Sequence, residues 1–578
     1  MDNNRASSLS DSGTAFENVP MDNQTRGVGA GASIEKGSYE DGKVPFMTAR
    51  TFFMCILVSM GGICFGYDTG QISGFLEMEN FLYNFADQRE PTLAFTWRRS
   101  GLIVGMLSIG TLFGALISAP IANHPKVGRR LSIFGWCMVF IVGNIIQIAA
   151  SYPKWYEMMV GRIVAGLAIG GLSVLVPMYQ GESSPAHIRG AIVCCYQLFI
   201  TIGILLANLI NFGTESISNT GSWRIPIGIS FAWALILAIG ILFFPETPRF
   251  DFRNGKIDKA RKTIAKLHGV SENHRVVRDT MLDLEEKLAA EDTKTGILEV
   301  FKGERMMYRI LLGVGIQAFQ QLTGANYFFY YGTTIFSSIG IDNSFITQII
   351  LGSVNVICTF PGLYMVEKFG RRRCLTIGAL WMAMCFLVFA SLGNFKLYNA
   401  DGSSNQTIGY VMIVFASLFI AAFASTWGPM AWAVVAEMYP GKYRSQGIAF
   451  CSASNWFFNF YLAFFTPLIT DQIDFAYGYV FAGCNICAAL LIYFFLIESN
   501  GKSLEEIDTM YCMHVPPRKS THWTLPEDVV AANALAREQG QRDRGLRERK
   551  HNLANGGEKN EVENVGNGNT GMFEGSRA

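Results

Sequence analysis

Twelve apolar stretches of about 20 residues each constrain this chain more than any other feature, because a run of that length crosses the hydrocarbon core of a bilayer as a helix. They lie near residues 51–75, 100–122, 131–150, 157–179, 190–212 and 225–244. After a polar interval, a second set lies near 309–332, 345–366, 374–393, 408–436, 446–469 and 477–497. A segment in lipid must satisfy its own backbone hydrogen bonds, and runs this long do so as helices. Composition agrees. Only 16% of the 578 residues are charged, against about 25% in soluble domains, and 59 glycines suit helices that must approach closely. The predicted fold class is an all-α membrane protein with twelve transmembrane helices in two six-helix halves.

Basic residues set the expected orientation. Lys126, Arg129, Arg130, Arg189, Lys368, Arg371, Arg372, Arg373, Lys442 and Arg444 cluster in the 2–3, 4–5, 8–9 and 10–11 loops, and the opposite short loops hold fewer. The basic, helix-like 6–7 connection falls on the same side, so both termini are expected in the cytoplasm. The division is a disordered N-tail 1–45, a first half 46–244, a cytoplasmic helical linker 245–308, a second half 309–510 and a disordered C-tail 511–578. Asn405, in the sequon Asn405-Gln406-Thr407, is then on the outside as a glycosylation candidate.

The halves echo each other. "VGRR" at 127–130 is answered by "EKFGRR" at 367–372, and "ESSPAHIRG" with Glu182 and Arg189 by "EMYPGKYRS" with Glu437 and Arg444. "PETPR", with Glu246 and Arg249, is loosely echoed by "IESNGKSLEE", with Glu498. Three echoes in the same order, offset by roughly 250 residues, argue for a duplicated six-helix unit. Arg129, Arg130, Glu182, Arg189, Glu246, Arg249, Glu367, Arg371, Arg372, Glu437, Arg444 and Glu498 all sit at cytoplasmic helix ends. Carboxylates and guanidiniums there can pair in one conformation and part in another, latching two rocking halves.

These motifs, together with "GYDTG" 66–70, "QQLTGANYFFYY" 320–331 and "WGPMAWAVVAEMYP" 427–440, give the chain its resemblance to a fungal sugar porter of the major facilitator superfamily. The resemblance spans about residues 46 to 510. One departure stands out: Pro125 occupies a position where the family usually has Asp, so that either the first-half latch is weaker or His124 substitutes at a shifted position, whereas Glu367 keeps the acid in the second half. The resemblance implies a hexose carrier, glucose foremost, in the plasma membrane, working as a monomer by alternating access.

A neutral sugar calls for uncharged donors and acceptors and an aromatic face, since charged clamps would only add desolvation cost. Gln197, Gln320, Gln321, Asn326, Asn355 and Asn455 interrupt otherwise apolar spans, and Trp432 supplies the aromatic surface. The resemblance matches these positions to hexose contacts, Ile200 and Ile204 to an apolar wall, and Tyr330 and Tyr331 to an outer gate on span 7. Gly324 and Gly332 would let that span bend.

Asp68 in span 1 and Arg162 in span 4 are opposite charges at similar depth. A charge at mid-membrane costs at least about 2.5–3.5 kcal/mol, so pairing is the way to keep both. The resemblance adds a role, because proton-coupled members carry an Asp and an Arg at these positions and link carboxylate protonation to sugar affinity. A permanently ionised structural pair, as in uncoupled facilitators, stands beside that reading, and so does a transporter-like glucose receptor. No catalytic motif, metal-ligand pattern or cofactor motif is present in the sequence, and a net charge of +1 gives no reason to expect nucleic acid. The expected partners are a monosaccharide, a co-transported proton and the bilayer itself.

Overall fold

The computed structural model describes residues 44–88, 93–185, 188–291, 299–339, 343–398, 404–440, 443–502 and 504–524. Its first half holds α1 (Ala49–Phe75), α2 (Glu79–Phe85), α3 (Trp97–Asn123), α4 (Gly128–Ala149), α5 (Trp155–Ser183), α6 (Arg189–Thr214) and α7 (Gly221–Ile241). The linker holds α8 (Pro248–Arg253), α9 (Ile257–His268) and α10 (Arg275–Glu291). The second half holds α11 (Met306–Leu322), α12 (Ala325–Ser338), α13 (Ser344–Lys368), α14 (Arg371–Phe395), α15 (Gln406–Ser425), α16 (Trp427–Met438), α17 (Arg444–Ile473) and α18 (Tyr477–Phe495), and α19 (Leu504–Cys512) follows.

Among the described residues, ten stretches are long and apolar enough to cross a membrane. One of them, Gln446–Phe495, contains both α17 and α18, which reverse direction at Asp474. The crossing missing from those ten is α11 with α12, two pieces of 17 and 14 residues that are each too short alone. Twelve crossings result.

Two of them depart from the continuous runs read in the sequence. The stretch 309–332 breaks at Gly324, whose φ of +92° is left-handed and suits only a residue without Cβ. The stretch 408–436 breaks at Thr426, where φ −129° and ψ −79° end α15 and start α16. Gly332 plays no part in the bend. It lies inside α12, where a Cβ would fall 1.8 Å from Gln348 Nε2, so it permits close packing.

The packing repeats as the sequence does. In the first half α1 packs on α6, α3 on α5 and α4 on α7; in the second α11 packs on α17, α13 on α15 and α14 on α18. The halves meet through α3 with α17 and α6 with α13, a pair of contacts exchanged by the pseudo-twofold relation. Backbones come close at these seams: a Cβ on Gly66 of α1 would lie 1.9 Å from the Ile200 carbonyl oxygen of α6.

The linker helices bury Ala260, Ile264, Ala265, Val277 and Met281 among themselves. They are tied to the start of α1 by the Thr48 and Thr51 hydroxyls, which donate to the Leu267 carbonyl at 3.2 and 2.9 Å. The C-tail boundary needs correcting. Residues 511–524, read as disordered, are ordered here: Tyr511 and Ser520 are buried, and Ser520 Oγ accepts from the Glu498 N–H at 2.9 Å. Residues 1–43 and 525–578, the rest of both expected tails, lie outside the described residues, as does Lys442.

Candidate functional site

The break at Gly324 turns the end of α11 and the start of α12 toward α17, and their amides close into a network. Gln321 Nε2 donates to Gln320 Oε1 at 3.0 Å and to Asn455 Oδ1 at 2.9 Å. Gln321 Oε1 accepts from Asn326 Nδ2 at 2.6 Å and from Asn459 Nδ2 at 3.2 Å. Asn455 Nδ2 donates to Gln317 Oε1 at 2.7 Å and to Gln320 Oε1 at 2.9 Å. Such amides satisfy one another, and each bond can be exchanged for one to a hydroxyl with little net change.

Gln317 and Asn459 were not singled out from the sequence. Both were findable: Gln317 lies one turn before Gln320 and Gln321, and Asn459 one turn after Asn455. Asn459 also joins the cluster to the first half, because Ser108 Oγ on α3 donates to its Oδ1 at 2.5 Å.

In the first half, Ile200 and Ile204 are buried on α6, and Gln197 is half-buried one turn earlier. A Cβ on Gly428 would lie 3.7 Å from Gln197 Nε2, which brings Gln197 against α16, where half-buried Trp432 sits one turn on from Gly428. Trp427, by contrast, is fully buried and donates to the Leu375 carbonyl at 2.9 Å, a packing role. Asn355 is buried on α13. Tyr330 donates to Asn459 Oδ1 at 3.0 Å, and the Tyr331 hydroxyl bonds to the Ala463 carbonyl.

Asp68 and Arg162 do meet. Arg162 Nη1 lies 3.4 Å from Asp68 Oδ2, and both side chains have no exposed surface. Gln71 Nε2 donates to Asp68 Oδ1 at 2.8 Å. Among the described residues the guanidinium nitrogens of Arg162 and Asp68 Oδ2 make no aligned hydrogen bond, so charge alone holds this contact.

At the linker end, the repeated motifs build the same device twice. Glu246 accepts from the Arg129, Arg130 and Thr247 backbone N–H groups at 3.0–3.3 Å, and Glu498 from those of Arg371, Arg372 and Asn500 at 2.8–3.2 Å. Arg129 reaches Glu182 at 3.1 and 3.2 Å, and Arg371 reaches Glu437 at 3.1 Å. The Thr247 hydroxyl donates to Glu182 at 2.7 Å, and Ser499 to Glu437 at 2.6 Å. Arg249 lies 4.0 Å from Glu182. Burial pushes the Glu246 carboxyl up, against the pull of its backbone donors.

Each of these sets lies within its own half. Arg189 and Arg444 open α6 and α17. Glu367 lies in the last turn of α13; its side chain, like that of Arg189, is outside what is described. His124 turns its Nδ1 to the Lys126 N–H at 3.4 Å. Asn405 caps α15 through its Oδ1, which leaves its amide nitrogen, the atom a glycan would take, outside that cap.

The bonds between described residues that join the halves gather toward the opposite end. Ser73 and Thr333 hydroxyls are 2.7 Å apart, Asn343 donates to Glu215 at 2.9 Å, and Asn208 donates to the Gln348 carbonyl at 3.0 Å. The halves are therefore pinned at the end remote from the linker.

Residues 54–511 match the family described as Sugar (and other) transporter. The chain belongs to this sugar transporter family. It is 43% identical over 499 residues to the high-affinity fructose transporter ght6 of Schizosaccharomyces pombe, covering 85% of this chain and 92% of that one. It is 44% identical over 480 residues to a low-affinity glucose transporter of Kluyveromyces lactis, covering 81% and 84%. To the low-affinity glucose transporter HXT3 of Saccharomyces cerevisiae it is 42% identical over 500 residues, covering 85% and 87%.

Among solved structures, the partially occluded inward open xylose transporter XylE from E. coli matches with a TM-score of 0.66 at 24% identity, covering 79% of this chain and all of that one. The major facilitator superfamily proton:xylose symporter XylE bound to 6-bromo-6-deoxy-D-glucose matches with a TM-score of 0.66 at 25% identity, covering 80% and 99%. This sugar transporter thus has the major facilitator fold.

Proposed function

We propose that this chain carries a hexose, glucose foremost, across the plasma membrane by alternating access, with both termini in the cytoplasm. The observation that carries the reading is the neutral amide network of Gln317, Gln320, Gln321, Asn326, Asn455 and Asn459, built at a helix break in the second half and joined to the first through Ser108. It offers donors and acceptors to sugar hydroxyls without charge, with Trp432 for the C–H face and Ile200 and Ile204 for an apolar wall. Gln197 and Asn355 complete the set, and Tyr330 and Tyr331 close it from outside. With the linker in the cytoplasm, halves pinned at the remote end correspond to an inward-facing state. The latch residues hold each half as a rigid body while it rocks. The transporter works as a monomer and performs no chemical step on the sugar.

Proton symport through Asp68 and Arg162 accompanies transport in this reading, supported by a symporter among the solved relatives. Uncoupled carriage is the second reading. The Gln71 bond favours it, since an N–H donated to the carboxylate stabilises the ionised form that a permanent ion pair requires.

The test is radiolabelled glucose uptake, recorded with external pH, in cells lacking their own hexose carriers. Uptake with alkalinisation that a protonophore abolishes establishes symport. Uptake to equilibrium without a pH change establishes facilitated diffusion. No monosaccharide uptake with protein at the surface overturns the carrier reading in favour of a receptor.

A further inference from the structure

The helix that brings Gln317, Gln320 and Gln321 to the network is short, and its beginning is held from outside the bundle. Arg309, in the first turn of α11, has no exposed surface. Its Nη1 donates to Asp508 Oδ1 at 2.6 Å, and its Nη2 to the Asp508 carbonyl at 3.3 Å and to Cys512 Sγ at 3.7 Å. Its guanidinium carbon lies 4.6 Å from the centre of the Tyr511 ring. All of these partners belong to α19, beyond the last crossing. Among the described residues, Asp508 is the carboxylate that pairs with this buried cation.

α19 is itself anchored. Ile507, Met510 and Tyr511 are buried, and the chain then returns so that Lys502 Nζ donates to the Trp523 carbonyl at 2.7 Å and Ser520 receives the Glu498 N–H. Glu498 is the residue that accepts the Arg371 and Arg372 N–H groups, so the segment is locked to the rigid end of the second half.

We propose that Asp508 is a positioning residue for hexose binding: through Arg309 it fixes the depth and rotation of α11 and so presents Gln317, Gln320 and Gln321 to the sugar. This rests on the reading of the amide network as the sugar site. Arg309 precedes Gln320 by three turns, on the order of 16 Å along the axis, and the break at Gly324 leaves α11 free of α12 as a rigid rod. Packing on α17 sets where this rod lies, and with a hinge at one end the Arg309 clasp at the other fixes how far it slides and turns on that face. Releasing Arg309 lowers the fraction of molecules whose amides are in register, and apparent affinity falls by that fraction. The maximal rate, reached when sugar selects the aligned form, changes little.

The full-length chain with Asp508→Asn tests this, through initial glucose uptake normalised to surface protein and through glucose binding to the purified protein by tryptophan fluorescence. KM and Kd are expected to rise about five- to tenfold, with the maximal rate kept within about twofold. Asp508→Glu is expected to recover most of the affinity. Unchanged KM and Kd in Asp508→Asn, or a lower rate or surface level at unchanged KM, overturn the proposal. Where Asp508→Asn does not reach the surface, Arg309→Lys decides by the same binding measurement, since it keeps the cation and loses the planar fork. A raised Kd supports the proposal and an unchanged one overturns it. Gln321→Ala is measured alongside: an unaltered Kd there rejects the sugar-site reading, whereas a raised Kd there with none in Asp508→Asn rejects the positioning role alone.

Discussion

Gln321 makes four bonds in the network, two donated and two accepted. On the proposed assignment, Gln321→Ala removes donors and acceptors from the sugar and also strands its amide neighbours. KM for glucose is expected to rise at least about tenfold, or roughly 1.4–3 kcal/mol, at normal surface expression. Uptake kinetics with surface labelling check this, and an unchanged KM rejects the site. Asp68→Asn separates the two readings of the buried pair. Under symport it abolishes sugar-driven alkalinisation of the medium, and alkalinisation that persists removes Asp68 as the carrier. The sequence made Asp68, Arg162, Gln320, Gln321, Asn326 and Asn455 visible because polar residues in apolar runs are conspicuous. Gln317 and Asn459 are polar residues of the same kind, one turn away from chosen neighbours.

At the scale of elements, hydrophobic length found the crossings but not their continuity. α11 and α12 read as one apolar run because hydropathy is blind to φ, and the break depends on Gly324 having no Cβ. Gly324→Ala would place a methyl 2.8–2.9 Å from the rings of Phe481 and Phe386 at φ +92°. Backbone strain of about 1–3 kcal/mol and overpacking of similar size add, so a clear fall in the melting temperature of the purified protein is expected, with loss of uptake. Gly501→Ala is the control. Its φ is +69° but nothing lies within 4 Å of the added Cβ, so only the left-handed penalty of about 1–2 kcal/mol applies. Equal effects from the two would reject the packing argument. The ordered residues 511–524 were missed for a related reason: their composition is that of a loop, and what orders them is contact with Glu498, Tyr493 and Arg309 from distant parts of the chain.

For the whole molecule, duplication was legible because three charged motifs recur in register. Their shared geometry, with one carboxylate receiving the N–H groups of a paired arginine motif in each half, needed coordinates. The closure at the remote end had no sequence signal, since Ser73 and Thr333 are unremarkable residues in separate halves. Their hydroxyls are 2.7 Å apart, so a Ser73→Cys, Thr333→Cys double variant can be oxidised to a bridge. The oxidised form is expected to stop uptake, and reductant is expected to restore it, as measured on intact cells. Uptake unaffected by a bridge shown to have formed would mean that this end need not open.

The two broken crossings, at Gly324 and Thr426, belong to the second half, while α1 and α5, their counterparts in the first, run unbroken for 27 and 29 residues. The amide network draws on one of the broken crossings, α11 with α12, and on α17, whereas Asp68 and Arg162 ride on the unbroken pair. The ancestral duplicates have thus specialised, one copy gaining pliancy and the other keeping stiffness. On the proposed assignment, changes of sugar preference and loss or gain of ion dependence arise in different copies of the repeat. Descendants of such a protein can alter either trait while inheriting the other intact.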